Sequence, residues 1–398
     1  MAKNKEKAKK PASGDGFIVD AAKLVKAIDR VLQVVPVKQS GCRYVLFNGK
    51  TLSLAAQGDD SFCRIDLGAG TGTNEIFTFD DLDFLKSMVK GRGELTFTPV
   101  PAALKFKSGR FSGEIKVSQD MADRHSTRFL STMESIDSNR EARAASGIKV
   151  NDTLFGAIAE SVRITRLKCA FVDNFVSVAT ITYDGSCLRV VSSDDWHIHH
   201  VVSSYKPTKE ERRDIKPFSI SVSTSVFSML DRVINGDLAF AMDSENFYII
   251  GDDIVVSLPP LQDTATDHVF QLLESLKKPV VEFTASDAIR DILTNLIAVT
   301  KGKDNAVIDL GITSEKIKFG HSSDRGTLSE KFKAKNFRGK ELSVKLDPRI
   351  FFDTFQCIKN APTSQFSVFN NEAGSPSIYR MVGSCDSGDI TVVGFITA

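Results

Sequence analysis

The chain has 398 residues, 42% of them hydrophobic and 25% charged, with 51 basic and 50 acidic side chains. That globular mixture is long enough for two to four domains and excludes disorder as its main character. Apolar runs such as Leu154–Ala159 fall far short of the ~20 residues of a membrane-spanning helix, so no membrane partner is expected. The first ten residues are basic with no apolar stretch behind them, a solvated tail and not a secretory signal. Residues 1–147 hold 23 basic and 18 acidic side chains, 148–278 hold 13 and 18, and 279–398 hold 15 and 14. A protein gripping DNA by bulk electrostatics is expected to carry a basic domain or stripe, which these totals lack.

Self-similarity organises the chain. The repeating motif is a short alternating strand, an amphipathic helix and three further strands. Its first copy opens at Phe17-Ile18-Val19-Asp20 and continues as a helix over 20–35. Leu24, Val25, Ile28, Val31, Leu32 and Val35 form one face of that helix. Strands follow near 44–48, 51–56 and 61–67, the second showing period-two alternation.

The second copy starts at Ile76-Phe77-Thr78-Phe79-Asp80, with Leu82, Phe84, Leu85, Met88 and Val89 as its helix stripe. Its strands lie near 94–99, 103–107 and 111–118. The third runs from Ile148 through a helix at 151–166 to strands near 174–182, 187–192 and 197–204. The fourth starts at Phe218, with Val226, Phe227, Leu230, Val233 and Ile234 as its helix. The fifth starts at Val280, with a helix over 286–300. The sixth starts at Leu342, with Ile350, Phe351, Phe355 and Ile358 facing inward.

Helix entries agree with this count. Asp20, Asp80, Asn151, Thr224, Ser286 and Asp347 each stand where an N-cap accepts the first unpaired amides. Pro348 takes the first helical position, where its missing N–H costs nothing. Polar spacers at 119–146 and 259–279 pair the repeats into three domains. The division is a basic tail at 1–16, then 17–147, 148–278 and 279–398. A further polar stretch, 206–213, lies between the third and fourth repeats.

A single repeat cannot cover both faces of its strands, and two together set two helices side by side. The expected class is α+β: three tandem domains of two repeats each, with helices on one surface of an arc. Two arcs that close on each other leave no sheet edge free to aggregate, and closed symmetry is the usual state of homo-oligomers.

From Phe17 to Ala398 the chain resembles the DNA polymerase sliding clamp of the bacterial beta type. The resemblance rests on repeat number and order and on three segments: Leu24-Val25-Lys26-Ala27-Ile28, Tyr183 to Asp194, and Ile390 to Ile396. Its divergence from bacterial members points to a phage-encoded version. The resemblance implies a homodimeric ring, in the cytoplasm (the host's, if phage-encoded), that encircles double-stranded DNA and tethers a replicative polymerase. Topological linkage then replaces affinity, in keeping with the near-neutral charge.

Cations off the apolar stripes are the candidates for steering phosphates. They are Lys23, Lys26, Arg30, Lys86, Lys90, Arg163, Arg166, Arg232, Arg290, Arg349 and Lys359; each, taken alone, is equally consistent with a solvated helix face. Lys38 matches a family position that touches DNA.

The family also has an apolar groove that takes short linear motifs from polymerase, clamp loader and repair partners. By position it maps to Val176, Ser193, Asp195, Trp196, His197, Ile198, Thr266, Phe270, Ile350, Pro376, Ser377, Gly394, Phe395 and Ile396. The family's Gly-His-Arg-Leu is here Asp195-Trp196-His197-Ile198, and its Met-Pro-Met is Gly394-Phe395-Ile396. A groove with an altered partner motif is implied. Trp196, the single tryptophan, suits a binding hot spot, its alternative being a packed core aromatic.

Other chemistry is weakly signalled. His197, His199 and His200 cannot converge from one strand, and no spaced Cys or carboxylate set accompanies them, so no metal or cofactor is expected. Gly68-Ala69-Gly70-Thr71-Gly72 lacks the lysine and the helix of a phosphate loop and reads as a turn. The six cysteines form no C-x-x-C pair and read as buried thiols of a reducing compartment. Nothing resembles a nucleophile with its base, so the chain reads as non-enzymatic. Two rivals stand beside the clamp: a monomeric processivity subunit that grips DNA by charge, and a repeat-built virion structural protein.

Overall fold

The computed structural model describes residues 16–35, 43–58, 61–117, 124–166, 177–194, 196–228, 230–234, 236–261, 266–285, 288–300, 307–323, 326–358, 360–371 and 373–396. The first repeat comprises β1 (Phe17–Asp20), α1 (Ala21–Val34), β2 (Arg43–Asn48), β3 (Thr51–Gln57) and β4 (Phe62–Ala69). The second comprises β5 (Glu75–Phe79), α2 (Leu82–Val89), β6 (Glu94–Val100), β7 (Ala103–Ser108) and β8 (Phe111–Lys116), and α3 (Arg124–Ser146) follows it. The third is β9 (Ile148–Val150), α4 (Asp152–Thr165), β10 (Val178–Tyr183), β11 (Leu188–Ser193) and β12 (His197–Ser203), trailed by α5 (Lys209–Asp214). The fourth is β13 (Phe218–Ser223), α6 (Thr224–Phe227), β14 (Leu238–Met242), β15 (Phe247–Ile250) and β16 (Ile254–Leu258), trailed by α7 (Thr266–Ser275).

The fifth is β17 (Val281–Ala285), α8 (Ala288–Thr300), β18 (Ile308–Ile312), β19 (Lys316–Ser323) and β20 (Gly326–Lys333), with an added β21 (Lys335–Gly339). The sixth is β22 (Leu342–Leu346), α9 (Pro348–Cys357), β23 (Ser364–Asn370), β24 (Pro376–Cys385) and β25 (Gly388–Phe395).

Contacts divide the chain into two compact units, Met1–Val150 with Arg232–Pro260, and Asn151–Asp231 with Leu261–Ala398. Each unit holds two sheets. The first has β1-β6-β7-β8 and β5-β2-β3-β4-β16-β15-β14-β9; the second has β13-β10-β11-β12-β25-β24-β23-β17-β21 and β20-β19-β18-β22.

Two rules generate this order. The opening strand of each repeat joins its neighbour's strands: β1 pairs with β6 and β5 with β2, β9 with β14 and β13 with β10, β17 with β23 and β22 with β18. The closing strand of a repeat pairs three repeats on, β4 with β16 and β12 with β25. Each such seam is antiparallel and carries buried apolar side chains, including Ile65 with Ile254 and Val201 with Ile390.

Local chemistry accounts for the helices. Asp20, Asn151 and Asp347 cap α1, α4 and α9 by accepting from amides of the first turn, and Pro348 opens α9. Asp81, not Asp80, caps α2, and Ser223, not Thr224, occupies the N-cap of α6 without a side-chain bond. Ser286 lies outside the described residues.

Three expectations are corrected. The spacer 119–146 contains the 23-residue α3, whose Phe129, Met133 and Ile136 are buried against Val45, Phe62, Tyr248 and Val255. The fourth helix is broken into α6 and a 3-10 turn at Leu230–Arg232. Its Phe227, Leu230, Val233 and Ile234 are buried as expected, but Thr224, Ser225, Val226 and Ser228 are weak helix formers. Phe84 leaves the α2 stripe and stands 54% exposed. The glycine-rich segment is a strand-to-strand turn, where a Cβ at Gly70 would lie 2.1 Å from the Gly49 carbonyl oxygen.

Candidate functional site

In the first unit, α1 and α2 lie side by side. Lys23 and Lys26 of α1 and Lys90 at the end of α2 are exposed, as is Arg232. Lys86 reaches back to Asp29 at 2.6 Å, and that hydrogen bond raises its ammonium pKa above the ordinary value.

Arg30 is a correction to the set of outward cations: it is buried, in a fork with Asp253 at 2.5 and 2.9 Å, and its Nε donates to the Val233 carbonyl at 2.6 Å. It sits one helical turn from Lys26, but its long side chain folds under the helix to meet the turn before β16. The arginine holds the Asp253 carboxyl below the usual range, outweighing partial burial.

In the second unit, Arg163 of α4 and Arg166 just past its end border a cavity of ≈ 360 Å³, with α9 on its other side. Arg163 is ion-paired to Glu160, and Arg349 is paired to Asp347 at 3.1 Å. The side chain of Arg290 and all of Lys38 and Lys359 lie outside the described residues.

The seam between β12 and β25 brings the other candidate residues together. His197 pairs with Gly394 and Ile198 with Val393, while Ile378 of β24 pairs with Phe395. Ile396 donates its amide to the Ser377 carbonyl at 2.9 Å, which holds Pro376 and Ser377 beside the end of β25. Gly394 is required here, because a Cβ would fall 2.3 Å from the Tyr379 ring. Trp196 is 45% exposed and Phe395 37%, so both present apolar surface at the end of the seam.

The loop carrying Trp196 is tied by Asp194. Its carboxylate accepts from the amides of Trp196 at 2.7 Å and His197 at 2.6 Å and lies 3.3 Å from the His197 ring. Burial opposes ionisation of Asp194, but the His197 ring and the two amides outweigh it and hold the carboxyl below its ordinary range.

Alternation along β12 separates the histidines. His197 and His199 share one face, their rings 5.9 Å apart, and the His199 Nδ1 is 3.4 Å from the Cys357 sulfur. Burial, with His197 adding to it, drives the His199 pKa down to about 3. His197 is thus a buried side chain on the helix side of the sheet, not a wall of an open groove, and Ile350 is likewise buried.

Ile198 and His200 face the opposite side. There Val191, Ile198, Val269, Leu276, Phe369 and Val393 form a buried cluster, with Phe270, Leu272, Leu273 and Ile378 packed against it. α7 therefore lies over the seam. Sequence reasoning placed Phe270 here but missed Val269 and Leu276, although 269, 272, 273 and 276 carry a helical spacing. Val176 and Asp195 lie outside the described residues, as does the Thr266 side chain. Among the described residues no group of three metal-ligating side chains occurs.

No protein-family model matches the chain, and no curated protein matches it by sequence. Solved structures do. The DNA polymerase III beta chain of Streptococcus pneumoniae superposes with a TM-score of 0.74 at 11% identity, over 96% of this chain and 99% of that one. The beta subunit of Thermotoga maritima gives 0.70 at 15%, over 96% and 99%. The DNA polymerase sliding clamp of Bacillus subtilis gives 0.69 at 11%, over 96% and 99%.

The fold is thus that of the bacterial beta sliding clamps along nearly the whole chain. In particular, it is the fold of the DNA polymerase III beta subunit.

Proposed function

We propose that the protein is a DNA polymerase processivity factor: a homodimeric ring around duplex DNA that docks polymerase and clamp loader through short linear motifs. The pairing of closing strands carries this reading. Repeat 1 pairs with repeat 4 and repeat 3 with repeat 6. The same three-repeat step asks repeat 5 for a partner, and repeat 2 stands unmatched. Among the described residues, β8 and β20 each pair on one side only.

A second copy supplies both missing partners, β20 of each chain meeting β8 of the other, which completes three domains per chain and closes the set. Unpaired edges invite further strands, so closure also removes a hazard. Half-buried Phe111, Leu328 and Phe332 lie on those strands, the last two against the second unit's core, so that pairing would extend apolar contact across the joint.

Within such a ring the exposed Lys23, Lys26, Lys90, Arg166 and Arg232 favour phosphates through weak, exchangeable contacts. The linkage is mechanical, and it operates in the cytoplasm, the host's if a phage encodes the chain. Native mass spectrometry is expected to give a dimer, and Leu328→Asp in β20 a monomer. The dimer should stay on nicked circular DNA and leave after linearisation. Equal retention on both forms, or steep salt dependence of a monomer, would replace the ring by a charge-based clasp.

A further inference from the structure

The cavity between α4 and α9 pairs a thiol with a base. Cys357, the last residue of α9, and His199 of β12 both line it. The Cys357 sulfur lies 3.4 Å from the His199 Nδ1 and 3.7 Å from its Nε2, and it reaches the Asp353 carbonyl oxygen at 3.4 Å. The two residues are 158 positions apart, so no spacing in the sequence announces the pair.

A nucleophile with a base in hydrogen-bond reach, the base being held by a third group, is the general form of an activated side chain. Here the third group is the Thr165 backbone, to which the His199 ring is hydrogen-bonded. The ring is 2% exposed and burial keeps it neutral, so one of its nitrogens stays an acceptor at neutral pH. A proton taken from the thiol leaves imidazolium and thiolate in contact, and each charge offsets the burial cost of the other.

The other described cysteines are built differently. Cys63 is fully buried, and burial pushes its thiol up to about 12. Cys187 and Cys385 are part-exposed like Cys357, but their sulfurs meet the backbone carbonyls of Leu188 and Gly388 instead of a histidine.

The remaining lining selects a class of reagent. Arg163 and Arg166 bring two guanidiniums, Glu160 and Asp353 two carboxylates. Arg163 is paired to Glu160, while Arg166 is exposed at the rim. At ≈ 360 Å³ the cavity falls within the ~300–1,000 Å³ of small-ligand pockets. A small thiol carrier bearing both carboxylates and an ammonium group complements such a mixed wall.

We infer that Cys357 is a thiolation site for zwitterionic low-molecular-weight disulfides of the glutathione type. His199 takes the thiol proton, the thiolate bonds to one sulfur of the reagent, and the reagent's S–S bond breaks. The departing thiolate recovers the proton from His199. Cys357 is thereby oxidised to a mixed disulfide, and the other half of the reagent is reduced to a thiol. The site lies on the helix side of the sheet, opposite α7, and does not depend on the function proposed above.

The test incubates the reduced full-length protein with glutathione disulfide and locates adducts by peptide mass mapping without reductant. Cys357 is expected to react at least about tenfold faster than Cys187 or Cys385, well within what a positioned base contributes. His199→Gln should bring the Cys357 rate down to theirs and leave theirs unchanged. With rates taken relative to Cys187, Cys357 should also prefer glutathione disulfide to the uncharged hydroxyethyl disulfide. Arg166→Gln, an exposed change, should reduce that preference by about two- to fivefold, the size of one exposed ion pair.

Equal rates at the three cysteines overturn the inference, and so does a Cys357 rate that His199→Gln leaves unchanged. If far-UV dichroism shows that variant unfolded, the two disulfides on the wild type decide. Lack of preference for the charged one makes Cys357 an ordinary accessible thiol and overturns the site.

Discussion

α3 and α7 occupy corresponding places, each laid across strands that join two repeats, and their attachments differ. α3 is buried through Phe129, Met133 and Ile136, and ion pairs fasten it along its length. Arg64, 1% exposed, meets Asp137 of α3; Arg140 meets Asp66 at 2.5 Å; Arg143 meets Asp243 at 3.0 Å and covers the Tyr248 ring. α7 rests on Val269 and Leu276, with Phe270, Leu272 and Leu273 partly buried, and among the described residues no ion pair ties it. Its polar link is the Arg380 bond to the Leu276 carbonyl. One seam is locked under its helix. The other is covered by a helix that apolar contact and this one polar bond keep in place among the described residues, in the unit that carries the exposed Trp196 and Phe395.

Acid should separate the two units most strongly. Burial lowers the His199 pKa to about 3, and burial with the Arg189 charge lowers His200 to about 4. Unfolding frees both rings to bind protons near pH 6.5, so the unfolded state is favoured as pH falls below that value. Each contributes about 1.4 kcal/mol per pH unit, His200 until about pH 4 and His199 until about pH 3. Both belong to the second unit, as does the single tryptophan, so Trp196 emission should report its loss first. In a pH titration the Trp196 signal is expected to change before the far-UV dichroism has fallen by half. His199→Gln should remove its share of that slope; coincident transitions would erase the contrast.

Arg64→Ala attacks the locked seam. Removing this buried side chain takes the partner from Asp137 of α3, while Asp66 keeps Arg140, and leaves a cavity where the arginine packed, a loss of about 2–5 kcal/mol. Urea denaturation should show it as a lowered midpoint. A change below about 1 kcal/mol would mean that apolar contact holds α3 as it holds α7.

Why α3 was hidden and α1 legible follows from where their partners lie. The stripe of α1 and its Asp20 cap are local signals, complete within fifteen positions. α3 has a polar average composition, three buried apolar residues among the described ones, and ion pairs to positions 73 and 74 residues away. A linker and such a helix look alike until those partners are known. Arg30 is the same case: its helical position suggested an outward cation, and Asp253 lies 223 residues on. At the β12–β25 seam a family resemblance, not a local signal, names the candidate residues. What it could not supply was the side: strand alternation turns His197 toward Cys357 and leaves Ile198 beneath α7.

Single apolar truncations sharpen the comparison at lower energy. Met133→Ala, at a fully buried position of α3, is expected to cost about 2–5 kcal/mol by cavity formation. Val269→Ala removes less apolar surface from α7, about 1.5 kcal/mol for two methylene equivalents. Hydrogen exchange should then show α7 amides opening faster in the variant while α3 amides are unchanged. Faster exchange in α3 would mean that the two helices unfold together.

The smallest stability effect is expected at Trp196. With 45% of its surface exposed and its loop held from Asp194 through the backbone amides, truncation to alanine should shift stability by less than about 0.5 kcal/mol. Binding should respond differently, because an aromatic with nearly half of its surface exposed contributes most when a partner desolvates it. Trp196→Ala is therefore expected to weaken a docking peptide at least about tenfold while the urea midpoint stays in place. An unfolding loss of several kcal/mol with unchanged peptide affinity would make Trp196 a core residue and remove it from the docking surface.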